Sequence, residues 1–327
     1  MVLSKYVNLD QTIRKRRIDE MYTTKRLDGK VIANELEEKI ADQVLTASRK
    51  PGLAVFLVGD DKASKVYVNR KQKKAQELGF LSMIKEYPKD IPERNLLENI
   101  EQLSKCNDIH GMLVQLPLPK HIDPFLVKQA ISPNKDVDGF HVQNQGALLL
   151  GRPVFVPCTP LGILYLLSCY DVQVEEKNAV VIGRSSIVGK PISLLLLLSN
   201  ATVSTCHSKT SNLRYYTKNA DILVSAVGKA NILSKNNTKK GCIVVDVGQN
   251  RSSSGALVGD VDFDSMISHA SLITPVPGGV GPMTVSLLMW NTLLAFTMIE
   301  KPSSIYLPRL GNIHDLLFGH LSIPVAN

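Results

Sequence analysis

Tyr67 and Lys71 stand four residues apart in Lys65-Val-Tyr-Val-Asn-Arg-Lys71, on a stretch whose spacing predicts a helix over 63–78. A phenol and an amine therefore project from one helix face and can address one substrate together. Arg70, Lys73 and Lys74 add positive charge, which favours the neutral, proton-accepting form of a nearby amine. The same cations also suit the wet side of a helix, and both readings of Lys71 stand. Gln115 closes the apolar run that begins at Gly111, at the carboxyl end of a predicted strand, where open α/β sheets expose their ligand-binding side chains. It serves equally as a cap on a neighbouring loop. Asp138 precedes a glycine in Lys135-Asp-Val-Asp-Gly-Phe-His141, either as a two-oxygen acceptor for a ligand or as the head of an Asx turn. Pro277, Gly278 and Gly279 belong to Ile273-Thr-Pro-Val-Pro-Gly-Gly-Val-Gly-Pro-Met-Thr284, a stiff loop poor in side chains. Such a loop lets a flat ligand lie close to the backbone.

A second constellation is built for phosphate. Ala179-Val-Val-Ile-Gly-Arg-Ser-Ser-Ile-Val-Gly189 reads as a buried strand that breaks at Gly183 and re-forms as a helix after Gly189, with Pro191 in the first helical turn. Free N–H groups and the positive end of the dipole at a helix N-terminus attract anions. The spacing is GxSxxxG instead of GxGxxG, so the next strand has to decide the ligand. That strand, 201–206, ends in His207-Ser208-Lys209 with no Asp or Glu to take a ribose 2′-hydroxyl. Arg184, Ser208 and Lys209 suit a 2′-phosphate, which points to NADP over NAD. Solvated loop charges are the plainer reading of Arg184 and Lys209.

Composition sets the limits. The chain has 327 residues, 44% of them hydrophobic, enough for two domains with ample cores. Its five cysteines are scattered, without CxxC or a His/Cys cluster, so reduced thiols are expected and a metal site is not. The uncharged run 278–297 contains glycine, proline, Ser286 and Asn291 and reads as a loop followed by one buried helix, not a membrane span. A net charge of +8 raises nucleic acid as a partner, but no zinc finger, helix-turn-helix or aromatic-interleaved basic platform accompanies it. An anionic small molecule explains the cluster at 62–74 as well. Residues 1–30 carry eight Lys/Arg against four Asp/Glu and read as a basic arm. The acids Asp10, Asp19 and Glu20 count against a mitochondrial presequence, so a cytoplasmic location is expected.

The elements that must hold these groups alternate regularly. Helix 31–48, strand 53–58, helix 63–78, strand 81–86, helix 92–104 and strand 111–115 predict a parallel sheet in a first α/β domain, 31–157. A helix from Thr159 to Tyr170, with Thr159 as N-cap, opens a second, Rossmann-like domain, 158–281, with strands near 179–183, 201–206, 221–227 and 242–247. A helix over 282–300 returns to the first domain, and 301–327 forms a tail that fits no pattern. The expected fold is two α/β domains with a cleft between them.

Taken together, the motifs carry a resemblance. The Tyr-x-x-x-Lys pair 67/71, Val-Gln-Leu-Pro-Leu-Pro at 114–119, Asp-Val-Asp-Gly-Phe at 136–140, Pro-Cys-Thr-Pro at 157–160, Gly-Arg-Ser-x-Ile-Val-Gly at 183–189, Asp246-Val-Gly and the proline-glycine loop occur in order over 28–296. In these the chain resembles the methylenetetrahydrofolate dehydrogenase/methenyltetrahydrofolate cyclohydrolase family. The resemblance implies Lys71 as the amine of the cyclohydrolase step, Gln115 as its tuning partner and Tyr67 as the group that stacks on or steers the folate. It implies Asp138 as acceptor for the pterin, with Val114, Leu116, Pro277, Gly278 and Gly279 along the folate. Gly183, Arg184, Ser185 and Ser208 would hold NADP, with Gln249 beside the nicotinamide where the family usually has Ile. It also implies tetrahydrofolate substrates, polyglutamylated, and a homodimer. A dehydrogenase without cyclohydrolase activity, a shikimate-dehydrogenase-like enzyme and a non-catalytic folate-binding scaffold are the alternatives.

Overall fold

Apolar runs bounded by capping residues predict alternating strands and helices, and the structure, a computed structural model that describes residues 24–300, contains them in that order. The first half runs β1 (Lys25–Arg26), α1 (Gly29–Leu45), β2 (Gly52–Val58), α2 (Lys62–Glu77), β3 (Leu81–Tyr87), α3 (Glu93–Ser104), β4 (Gly111–Val114), α4 (Pro124–Ala130) and α5 (Val142–Leu149). The second runs α6 (Cys158–Cys169), β5 (Asn178–Ile182), α7 (Gly189–Leu198), β6 (Thr202–Cys206), α8 (Leu213–Thr217), β7 (Ile222–Ser225) and β8 (Ile243–Asp246). It ends with the hairpin β9 (Asn250–Arg251) and β10 (Leu257–Val258), then α9 (Phe263–Met266), β11 (Leu272–Ile273) and α10 (Val280–Glu300). Carboxylates start the two helices that matter most for the site. Asp28 accepts from the N–H groups of Lys30 and Val31 at the head of α1, and Asp61 accepts from Ser64 N–H at the head of α2.

Apart from the antiparallel β9–β10 hairpin, the strands form two parallel sheets. A small one has the order β3-β2-β4, and a larger one the order β1-β11-β8-β7-β5-β6. The central strands are mainly apolar because both of their faces are covered. In β2, Leu53, Val55 and Leu57 face the core shared by both halves, while Ala54, Phe56 and Val58 face a separate cluster with Leu96, Ile100 and Val127. In β5, Ala179 and Val181 join the shared core and Val180 and Ile182 pack on the outer side. That shared core is centred on α10, which packs mainly on α6 and α1 and reaches α2, β2 and β4. Among the described residues α10 alone has the length and apolarity of a membrane span, yet most of it is buried inside the fold.

Two expected boundaries change. The basic arm does not run to residue 30: Lys25 and Arg26 pair with Leu272 and Ile273 at the edge of the larger sheet, and α1 begins at Gly29. A two-residue parallel pairing carries no periodicity, which is why the sequence gives no sign of it. The basic cluster Arg14-Lys15-Arg16-Arg17 and the tail 301–327 lie outside the described residues. Thr159 is not a helix cap either, since α6 starts at Cys158 after Pro157 and its first turn has no side-chain cap. The Thr159 hydroxyl instead pairs with that of Thr284 on α10 at 2.9 Å.

Gly29 shows how tightly the halves are joined. A Cβ there would lie 1.8 Å from the Gly279 carbonyl oxygen, and Lys30 N–H donates to Gly278 O at 3.1 Å. The head of α1 is therefore pressed against the proline-glycine loop. Gly29→Ala should destabilise the protein by about 1–3 kcal/mol through overpacking of backbone that cannot turn aside. Urea unfolding at neutral pH measures this, and a loss under about 0.5 kcal/mol would contradict the packing described.

Candidate active site in the cleft

On α2, residues spaced four and three apart share a face, so Tyr67, Lys71 and Lys74 form one stripe. Each finds a partner from a different part of the chain. Tyr67 Oη donates to Gln249 Oε1, which follows β8 in the other half. Lys71 Nζ donates to Gln115 Oε1 at 3.1 Å, beyond the end of β4. Lys74 Nζ pairs with Glu37 of α1 and with Glu77, each at 2.8 Å. The second oxygen of Glu37 accepts from the buried Ser286 hydroxyl of α10 at 2.6 Å. This network fixes the roll of α2 against α1 and α10.

It also corrects an expectation. The run of cations around Lys71 suggests an uncompensated positive field, but Lys74 is neutralised by two carboxylates and Lys73 sits 3.8 Å from Glu77. The charge that does face Lys71 is Asp138. Burial raises the Asp138 carboxyl above the usual carboxylate range, and the ammonium groups of Lys71 and Lys128 pull it back. Asp138 is not an Asx-turn residue. The loop is held instead by Asp136, whose carboxylate accepts from His141 N–H at 2.7 Å and Asn144 Nδ2 at 2.8 Å. Asp138 is left facing Lys71, with the thiol of Cys158 3.8 Å from its Oδ1. Gln115 bridges two groups, since its amide N–H₂ donates to Leu116 O at 2.8 Å while its oxygen receives Lys71.

The rim of the cleft is backbone. Val114 is buried at the end of β4 and Leu116 is half-buried beside it, followed by a cis Leu116–Pro117 bond. Opposite, the loop through Pro277, Gly278 and Gly279 contains a cis Val276–Pro277 bond, and Gly278 has φ +108°. Gly279 N–H closes the turn onto Pro275 O at 2.8 Å. α10 begins immediately after it.

The glycine turn of the other half meets the same cleft. Gly183 has φ +121°, and a Cβ on it would lie 2.5 Å from Ala226 O; one on Gly189 would lie 2.3 Å from Gly183 O. The Ser185 hydroxyl accepts from the N–H groups of Val188 and Gly189, both at 3.2 Å, so Ser185 shapes the turn itself. Gln145 of α5 donates to Ser186 O at 3.4 Å, touching the turn from the first half. Ile182 and Cys206 are partners in register, so Arg184 and Ser208 leave the sheet side by side on neighbouring strands, both exposed. A cavity of about 450 Å³ at the end of β6 is lined by Thr205, His207, Lys209, Thr210 and Tyr216 among others. These residues fit a 2′-phosphorylated dinucleotide: a cradle that admits no Cβ, a cationic rim and no carboxylate where a ribose 2′-hydroxyl would need one.

Sequence reasoning overlooks the groups behind the cleft. Asp260 accepts from Ser225 Oγ, from the N–H groups of Val227, Gly228 and Lys229, and from Asn250 Nδ2, at 2.9–3.3 Å. It thereby moulds the loop after β7 that packs on Gly183. Asp246, pushed up to about 6 by burial, accepts from Gly248, Asp260 and Val261 N–H groups. Glu37, Cys158 and Asn291 complete the list of supports. A polar residue inside an apolar run, as at Asn291, is the one signal available for them.

Comparison with known proteins places this geometry. Residues 27–138 match the model of the tetrahydrofolate dehydrogenase/cyclohydrolase catalytic domain, and 157–300 that of the NAD(P)-binding domain of the same family. The chain is 52% identical over 276 residues to the bifunctional protein FolD of Paraburkholderia phytofirmans, covering 84% of this chain and 96% of the relative. It is 52% identical over 278 residues to that of Listeria innocua, covering 84% and 98%. The crystal structure of the bifunctional enzyme FolD from Campylobacter jejuni superposes with a TM-score of 0.82 at 45% identity, over 83% of this chain and 98% of that one. The Trypanosoma brucei enzyme complexed with NADP and an inhibitor gives 0.81 at 36% identity, over 84% and 98%.

The buried carboxylates set a pH dependence. Burial pushes Asp136 from 3.8 up to about 6 despite its N–H donors. A raised carboxyl value means that the folded state holds the proton more tightly than the unfolded state. The ionised group therefore costs stability above about pH 6, and the cost is relieved as pH falls from there towards 3.8. The stability of the wild type relative to Asp136→Asn should accordingly rise by up to about 3 kcal/mol between pH 7 and pH 4. Denaturant unfolding of both proteins across that range reads the difference, and a flat or falling curve would contradict the assignment.

Proposed function

The chain belongs to the tetrahydrofolate dehydrogenase/cyclohydrolase family, and from that premise we propose that its cleft oxidises 5,10-methylenetetrahydrofolate with NADP and hydrolyses the 5,10-methenyl product to 10-formyltetrahydrofolate. The observation that carries this reading is the Lys71–Gln115 hydrogen bond at 3.1 Å, with Asp138 as the carboxylate whose charge faces Lys71. NADP, when bound, supplies the hydride acceptor. This first step needs two flat rings aligned with water excluded more than it needs an acid or base. Tyr67, Val114, Leu116, Pro277, Gly278 and Gly279 form the walls that orient the folate, and Asp138 accepts from the pterin N–H groups. Gly183, Arg184, Ser185 and Ser208 hold the dinucleotide.

In the second step a water oxygen bonds to the methenyl carbon and gives up one proton; the carbon–N5 bond then breaks as N5 is protonated, and the remaining O–H proton passes to solvent, which leaves the formyl group on N10. Lys71 is positioned to take and return that proton, with Gln115 Oε1 fixing its ammonium between turnovers. The cationic substrate is attracted by Asp138, which holds it beside Lys71.

Two finer assignments follow the family resemblance. The net charge of +8 supports polyglutamylated folates as substrates. A homodimer is proposed on the resemblance alone and is read by light scattering.

A spectrophotometric assay separates the readings. With methylenetetrahydrofolate and NADP, the wild type should form NADPH and only a transient methenyl absorbance. Lys71→Met should lower methenyl hydrolysis by about 10²- to 10⁴-fold. Persistent methenyl compound in the wild type would instead indicate a dehydrogenase alone, and unchanged hydrolysis in Lys71→Met would remove the amine from the mechanism. Arg184→Ala should raise the KM for NADP by about tenfold or more with little change for NAD, since only the 2′-phosphate is lost to it.

A further inference from the structure

Asn291 is the anomaly of α10. It is 1% exposed, on a helix where Leu287, Leu288, Leu293 and Leu294 fill the shared core. A buried amide persists there only if its donors are used. Its Nδ2 donates to Val137 O at 2.8 Å and to Val156 O at 3.1 Å, and lies 3.6 Å from Cys158 Sγ. These acceptors come from two segments that are distinct in the chain: the loop carrying Asp138 and the strap leading into α6.

The two segments touch backbone to backbone. Gly139, at φ +69°, leaves so little space that a Cβ would lie 2.7 Å from Pro157 N and 2.8 Å from Val156 C. One amide can pull two carbonyls together in this way because it carries two N–H donors on a single planar group. Cys158 completes the link. Its thiol lies 3.3 Å from Val137 O and 3.8 Å from Asp138 Oδ1, a choice of two acceptors for one proton. Val137 O also accepts from Asn291, and the thiol stands between that carbonyl and the carboxylate, within reach of both. Burial and the adjoining Asp138 charge raise the thiol well above its ordinary range, so it stays protonated and remains a donor.

We propose that Asn291 and Cys158 are a positioning pair that aims the Asp138 carboxylate into the cleft, so that a residue in the middle of the core helix governs recognition of the pterin and not of the dinucleotide. This rests on the reading of Asp138 as the pterin acceptor. It extends the site to two side chains that touch neither ligand, and it predicts an asymmetry between the two substrates that a general loss of packing does not produce.

Steady-state kinetics on the full chain test it, with methylenetetrahydrofolate and NADP varied in turn. Asn291→Leu, similar in volume but without donors, should raise the folate KM about tenfold or more while the NADP KM stays within about twofold. Cys158→Ala should raise the folate KM by a smaller factor, and Cys158→Ser, which restores a donor, should recover most of it. Equal changes in both KM values, or none in either, would overturn the pairing. Should Asn291→Leu fail to fold, the Ala and Ser variants at 158 decide alone, and identical folate KM values for these two overturn the proposal. Asp138→Asn distinguishes the underlying reading: an unchanged folate KM there removes Asp138 from pterin binding. A raised one with wild-type behaviour in the Asn291 and Cys158 variants removes only the positioning pair.

Discussion

The burial of one apolar helix between two parallel sheets is the constraint on which the other features rest. α10 runs through the shared core, and the polar side chains it carries inside have to be hydrogen-bonded, three of them to groups on neighbouring elements. Thr284 meets Thr159 at the head of α6, Ser286 meets Glu37 of α1, and Asn291 meets the carbonyls of Val137 and Val156. Each match ties α10 to a segment that carries part of the cleft. Because the proline-glycine loop flows directly into α10, the wall on that side moves only if the helix does. Burial thus supplies most of the energy, while a few hydrogen bonds decide the register of what is buried.

Electrostatics divide the same way, between carboxylates that build and carboxylates that face the cleft. Asp136, Asp246 and Asp260 lie inside and are surrounded by N–H donors, each shaping a loop. Burial without a cation raises such groups, as at Asp136 and Asp246, and the donors only partly offset it. Asp138 differs because its neighbours are a thiol and two ammonium groups in place of backbone amides. A carboxylate left short of donors within the fold is available to a ligand that brings its own N–H groups. Glu37 plays a third part: by neutralising Lys74 it leaves Lys71 paired with Gln115 and facing Asp138, and it locks the stripe that carries Tyr67 and Lys71.

The two halves are joined across the cleft as well as beneath it. Tyr67 reaches Gln249, and Gln145 reaches the carbonyl of Ser186 in the glycine turn. Gln249 is expected beside a nicotinamide and is found bonded to the tyrosine expected beside a folate. The two expectations are compatible, because the two rings must face each other for hydride to pass.

The amino-acid sequence by itself determined the alternation of elements, the parallel sheets, the glycine turn and the stripe that carries Tyr67 and Lys71. Those features are local: strand and helix periods, a missing acid after β6, and a Tyr and a Lys one turn apart are all readable within a few residues. Tertiary structure alone decided which neighbours those groups have. Lys25–Arg26 joins the far sheet, Thr159 pairs with Thr284 instead of capping its helix, Lys74 is neutralised by a carboxylate from α1, and Asp138 rather than Asp136 is left for the cleft. Each of these contacts joins residues whose separation along the chain has no period, and a buried donor or acceptor takes whichever partner the packing of distant elements brings to it.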